Sequence, residues 1–387
     1  MVRKYEITNP QYASESSASS IPKNVTLHVG GQSLDHFSKC TERTTDIRTL
    51  ENVPGKKVLN ECYIDLTLSK LRELDSDREA QDRYILSRSK FLDRGMINIV
   101  VIKLRLEEGD ALDEMDYGYL NSLLSWGRND IYLMPILDFG KSIDRNYRIS
   151  TYETFVTRML DMKDSWMDNN INIGMSVPDF VPRRYIDSLF NFYNDCGATF
   201  IGVDFNNKRM DKPSEVTGTI LNHFARIGEE KTFLYGINVK PYKRGNDTSA
   251  WDIYLTHGSF NAIGPTHTKA HAISAPENWD NLGRIFDESN VSYQRVDDSH
   301  RDSFINWVEE RYGTRLDVDF KRNEKGLYTY LKRYNFERTN VVLGEFSDAI
   351  RNNDSDFVKM MRGHIPEEMR NINIMEERTG RRSRMRL

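Results

Sequence analysis

Residues 231–269, KTFLYGINVKPYKRGNDTSAWDIYLTHGSFNAIGPTHTK, hold two short apolar runs, FLYGINV and WDIYL, each ending in polar residues able to do chemistry. Runs of this length bounded by Gly, Pro and charged turns predict two buried strands, which deliver Lys240 and His257 toward one end of a sheet. The pattern recurs upstream. NVTLHVGG (24–31), VLNECYIDLTL (58–68), MINIVVIKLRL (96–106), DIYLMPILDF (130–139), INIGMSVPDF (171–180) and ATFIGVDF (198–205) all read as strands. Between them, residues 69–95, 113–126, 151–168, 183–197 and 213–228 carry the charged, Leu-spaced pattern of helices.

Strands that are continuously apolar, and separated by helices, belong to a parallel sheet covered on its faces. About eight such strands precede residue 270, the number a closed (β/α)8 TIM-like barrel needs. The alternative is an open doubly wound α/β sheet. Its nucleotide-binding forms lose support, because Gly30-Gly31 lacks the third glycine of a dinucleotide fingerprint and no phosphate-binding GxxxxGK[ST] occurs.

The expected organisation is a flexible Ser-rich arm over 1–20, the barrel over 21–270, a mainly helical extension over 271–365 and a basic tail over 366–387. In the extension, residues 275–290 and 299–313 read as helices and VVLGEF (341–346) as a brief strand. No apolar run reaches the roughly 18–20 residues of a membrane helix, and the first twenty residues lack the apolar core of a secretory signal. These features predict a soluble, cytoplasmic protein with no membrane partner.

A net charge of −4 gives no global basic field toward nucleic acid, although a local patch would not show in that total. Cys40, Cys62 and Cys196 stand apart, with no CxxC pair, so neither a disulfide framework nor a thiolate zinc site is expected; a divalent cation held by carboxylates stays open. His267 and His271 are four apart, but Gly264 and Pro265 disfavour the helix on which they would share a face, so they read as loop histidines.

In a barrel the chemistry stands at the C-terminal ends of the strands, and here those ends are acidic. Asp65, Asp138, Asp179 and Asp204 close or nearly close successive strands, and Asp252 opens WDIYL. Several carboxylates at one end suit general acid–base or nucleophilic work at a glycosidic bond, or an oxygen-rich cation site. Asp204, inside the apolar run IGVDF, would be costly to bury without a purpose; Asp138 and Asp252 are its candidate catalytic partners. His28, Lys240 and His257 are the candidate substrate contacts. Asp138 and Asp179 would serve equally as caps of following helices.

FLYGINV followed by WDIYLTHGSF resembles the late barrel segment of tRNA-guanine transglycosylases and their DNA-modifying relatives. The resemblance implies a barrel that exchanges guanine for a deazapurine in DNA or RNA through an aspartate attacking the ribose carbon. It matches Asp252 to the first acid of the family's paired-acid strand; Leu255 stands at the second, and the Cys-rich zinc motif has no counterpart. Two functions from different classes are therefore expected: a glycosyl-transferring or hydrolysing enzyme using strand-end aspartates, or a non-catalytic structural or assembly protein on the same fold.

Overall fold

The computed structural model describes residues 5–12, 23–42, 59–92, 95–124, 131–140, 142–162, 172–181, 185, 188–190, 193, 197–207, 232–241, 249–258, 260–267, 278–323 and 326–364. The expected helix over 213–228, most of that over 183–197, and the basic tail over 366–387 lie outside them.

The central element is a mainly parallel sheet. Its strands are β4 (Ser38–Lys39), β5 (Thr41–Glu42), β6 (Leu59–Thr67), β7 (Ile97–Leu106), β8 (Ile131–Leu133), β9 (Ile136–Phe139), β10 (Asn172–Val177), β11 (Phe200–Asp204), β12 (Phe233–Ile237) and β13 (Ala262–Ile263). The order is β4-β13-β12-β11-β10-β8-β7-β6-β5, with β9 on β7, and each of these pairings is parallel. The two ends of that order, β4 and β5, are separated in the chain only by Cys40.

Alternate residues of these strands separate into two cores, as the period of two demands. Cys62, Ile64, Val100, Ile102, Ile201, Val203 and Leu234 pack with the helices. Leu59, Ile99, Val101, Leu133, Phe200, Phe233, Tyr235 and Ile237 pack with one another on the opposite face. Burial on both faces is why these strands are continuously apolar.

That second core is shared with a small antiparallel sheet, β1 (Tyr5–Tyr12), β2 (Lys23–Val29) and β3 (Gln32–Leu34), through Ile7, Val25, Leu27, Val29 and Leu34. The segment NVTLHV is therefore not a strand of the parallel sheet, and the first twenty residues contribute a strand of their own. Its apolar residues meet strand starts such as Leu59, Ile97 and Phe233, so this sheet covers the N-terminal end, away from the strand-end acids.

The helices include α1 (Leu68–Ser76), α2 (Arg78–Ser89), α3 (Glu114–Leu124), α4 (Arg145–Asp161), α5 (Asp298–Tyr312), α6 (Leu327–Arg351) and α7 (Ser355–Gly363). The run after residue 68 breaks in two because Asp77 leaves the helical region and its carboxylate caps Ala80 N. VVLGEF lies inside α6 rather than on a strand: Val342, Leu343 and Phe346 share the helix-side core with Phe37. Asn340 Oδ1 accepts from Lys39 N, and Ser347 Oγ accepts from Phe37 N, which fixes α6 against β4.

Residues 278–290, the described part of the helix expected over 275–290, form no long helix. Trp279–Asn281 make a single 3-10 turn, and Arg284–Asp287 (β14) and Ser292–Arg295 (β15) make a hairpin. Among the described residues, no helix is long and apolar enough to cross a membrane.

Candidate functional site

The face of the sheet that carries Leu59 and Val101 turns polar toward the C-terminal ends of its strands. Period-two alternation puts Glu61, Tyr63 and Asp65 of β6 on it, then Lys103 and Arg105 of β7, Asp138 of β9, Ser176 of β10 and Asp204 of β11. These residues meet. Lys103 is almost wholly buried; its Nζ stands 3.7 Å from Asp204 Oδ2 and 3.8 Å from Asp138 Oδ2, and donates to Asn206 Oδ1 at 3.2 Å. Asn206 in turn donates from Nδ2 to Asp179 Oδ2 at 3.3 Å, and its backbone N–H donates to Asp204 Oδ1 at 2.8 Å.

Asn206 and Asn207 have positive φ, 49° and 57°, a conformation asparagine tolerates better than most residues. That turn aims the asparagine back across the end of β11. Arg105 extends the set outward, 3.6 Å from Asp138 and 3.0 Å from Asp65.

Burial pushes the Asp204 carboxyl up to about 6, against the opposing pull of Lys103 and the Asn206 N–H and with help from Asp179 and Asp138. Asp138 is the more exposed carboxylate, at 27% of its side chain.

A second set adjoins the first. Glu61 is fully buried and its two oxygens bind the Tyr235 hydroxyl and the His267 imidazole. Gly264 makes room for this, since a Cβ there would lie 2.6 Å from the Tyr235 hydroxyl and 2.8 Å from Glu61 Oε2. The His267 backbone donates to Asn238 Oδ1 at 2.8 Å, and its ring stacks on Tyr63 with centroids 3.8 Å apart. Tyr63 links the two sets. Burial first, then Asp204 and Glu61, hold its hydroxyl far above the usual range, so it is a permanent O–H donor.

Cys40, between β4 and β5, is raised by burial and by Glu61 and is therefore an unreactive thiol. Among the described residues, no group of three or more His, Cys, Asp or Glu is placed to hold a metal ion.

Of the sequence candidates, Asp138 and Asp204 meet at Lys103. Asp252 does not join them. WDIYL is no strand; Ile253–Gly258 is a 3-10 helix, with Trp251, Ile253, Tyr254 and Leu255 all packed into the helix-side core. An apolar run this short cannot specify strand over helix by itself. The Asp252 carboxylate accepts from Lys39 Nζ and, at 3.0 Å, from the Tyr293 hydroxyl, while Lys39 also donates to Tyr293 at 2.7 Å.

His28 is on β2, in the antiparallel sheet at the far end, bonded to Thr8 Oγ1 at 2.8 Å. Val25, Leu27 and Val29 take the inward positions of that strand, so His28 alternates away from the core. Lys240 follows Asn238 beyond β12, on the polar end of the sheet, and His257 lies on the 3-10 helix rather than after a strand. Glu61, Tyr63, Lys103, Arg105, Asn206 and Tyr235 were not singled out from the sequence, and His267 read as a loop residue. The signal available was the alternation in ECYID and IKLRL, which places each polar residue two positions from the next.

No protein-family model matches the chain, and no curated protein matches it at a significant level.

Proposed function

We propose that the chain is a (β/α)8-barrel enzyme acting at a glycosidic bond, with Asp204 as proton donor and Asp138 as the second carboxylate. Closure of the sheet is supported by β4 and β5, two halves of one stretch that pair with opposite ends of the strand order. Contacts between strands that are not neighbours agree with it: Lys103 of β7 with Asp204 of β11, and Tyr235 of β12 with Glu61 of β6.

The observation that carries the chemistry is the Asp204 carboxyl, pushed up to about 6 by burial while Asp138 shares its ammonium partner. Breaking a glycosidic bond needs one carboxylic acid that still holds a proton near neutrality and a second carboxylate facing the anomeric carbon. In this reading Asp204 gives its proton to the leaving oxygen while Asp138 stabilises or attacks the anomeric carbon. Water then adds to that carbon, freeing Asp138 and returning a proton to Asp204, and Lys103 holds both carboxylates.

The narrower form, exchange of a base in DNA or RNA, has less behind it. Asp252, the acid matched by resemblance, is committed to Lys39 and Tyr293. An inert scaffold would leave its strand-end acids dispersed or capped, whereas Asp138, Asp179 and Asp204 are linked through Lys103 and Asn206.

The test is turnover of a panel of aryl glycosides by the full chain. The expected result is hydrolysis with a pH limb near the Asp204 value, lowered by about 10²- to 10⁴-fold in Asp204→Asn. Undiminished turnover in that variant, or none by the wild type on any glycoside, refutes the assignment.

A further inference from the structure

We infer that Tyr63 contacts the substrate, its hydroxyl donating a hydrogen bond to one hydroxyl of the sugar, and that Glu61 and His267 are the positioning residues that hold its ring for this. The sugar rests on the glycosidic reading above. The open donor and its support rest on geometry alone.

Tyr63 lies between Glu61 and Asp65 on the polar face of β6, part-exposed, with its ring against the core of that face. The carboxylates that act on its hydroxyl belong to β11 (Asp204), β6 (Glu61 and Asp65) and β9 (Asp138), so the hydroxyl stands in the space that the strand-end acids share. Burial first, then these acids, keep it protonated through the neutral range. Yet among the described residues none accepts its proton or donates to it. By contrast, Glu61 is taken by Tyr235 and His267, and Asp65 by Arg105. A phenol that offers a donor at its tip and an apolar ring beside it matches a sugar, which presents hydroxyl oxygens at the edge of a carbon ring.

The ring is held from several elements at once. The His267 imidazole stacks on it with centroids 3.8 Å apart and planes 13° apart. That imidazole is itself pinned, by its ring nitrogen to Glu61 and by its backbone N–H to Asn238 Oδ1 at 2.8 Å. Tyr235 holds the other oxygen of Glu61, and Gly264 leaves room for the contact. Strand β6 and the loops after β12 and β13 therefore converge on one tyrosine whose polar tip bonds to no described residue. A side chain so fixed loses little freedom when a ligand arrives, which lets its hydrogen bond discriminate between ligands.

The first test needs no substrate. Because the hydroxyl stabilises nothing in the chain, Tyr63→Phe should melt at the same temperature as wild type or higher. The contact itself is read on the full chain with the best nitrophenyl glycoside of the panel and its monodeoxy forms. Wild type should prefer the parent over one deoxy form by about tenfold or more in kcat/KM, and Tyr63→Phe should bring that pair to within about threefold while its preferences over the other deoxy forms stay. His267→Gln keeps a donor for Glu61 and loses the stack; it should lower the same preference by roughly three- to tenfold and leave the pH limb of Asp204 in place.

A Tyr63→Phe variant that melts several degrees lower, that slows the parent and every deoxy glycoside alike, or that slows none of them overturns this inference and leaves the glycosidic reading standing. Should the wild type turn over no glycoside, calorimetry with glucose, galactose, mannose and xylose, and with monodeoxy forms of the sugar bound, replaces the kinetics. Binding whose deoxy preference vanishes in Tyr63→Phe then removes the glycosidic reading alone; no binding, or a preference that survives the substitution, removes both.

Discussion

Two buried lysine–aspartate pairs lie on opposite faces of the same sheet, and they are built differently. On the helix side, Lys39, Asp252 and Tyr293 form a closed triangle, with Asp252 only 1% exposed. Burial alone would lower the Lys39 ammonium, but Asp252 and Tyr293 hold it above its usual range. On the other face, Lys103 is shared by Asp204 and Asp138 at 3.7 and 3.8 Å, and burial pushes Asp204 up to about 6. A closed pair locks two elements together. A cation with more carboxylates than it can satisfy leaves one of them poised to take or give a proton.

The comparison is broken most severely at the closed pair. Lys39→Met strands a buried carboxylate, and the expected loss is about 3–5 kcal/mol of unfolding free energy by denaturant titration. The double variant Lys39→Met with Asp252→Leu should recover most of that loss, because no charge remains unpaired. A loss of under about 1 kcal/mol in Lys39→Met would mean that the triangle does not hold β4 to the loop before the 3-10 helix.

At the open pair the sign reverses. The folded chain binds the Asp204 proton more tightly than the unfolded chain does, since its carboxyl is raised from 3.8 to about 6. That contribution to stability is fully present below the unfolded value and is lost as pH rises through about 4 to 6. Asp204→Asn should therefore be more stable than wild type at pH 7, by up to about 3 kcal/mol, with no advantage below pH 4. Thermal melts at both pH values check this. A variant less stable than wild type at pH 7 would make Asp204 a structural partner of Lys103, like its counterpart across the sheet.

A smaller effect is expected at Tyr235→Phe, which removes one of the two groups on the buried Glu61 carboxylate. About 1–3 kcal/mol should be lost, with the fold retained. Gly264→Ala tests the close approach, because its added methyl would press on the Tyr235 hydroxyl and Glu61 Oε2. The expected sign is a loss of stability, read by thermal melts at pH 7.

Much of this was legible in the residues. Continuous apolar runs such as INIVVIKLRL and FLYGINV are buried on both faces and pair in parallel, as their lack of alternation requires. Asp204 inside IGVDF was legible as a costly burial. Lys103 was hidden in the same kind of run: its long apolar stem fits the pattern of a strand, and only its neighbours reveal the charge at its tip. WDIYL misled because its apolar residues fill a three-dimensional gap behind the sheet instead of one pleated face. NVTLHV was read correctly as a strand and placed in the wrong sheet, since strand propensity carries no information about partners.

The sequence by itself determined that strands and helices alternate, that the strands are sheltered on both faces, and that acids stand at their ends. Those are local properties, set by side-chain period and by the cost of burying backbone and charge. Only the tertiary structure decided that Asp204 and Asp138 meet across Lys103 while Asp252 is locked to Lys39. Each of those residues comes from a different part of the chain, and the distance between two strand ends depends on how the whole sheet curves, which no local spacing encodes.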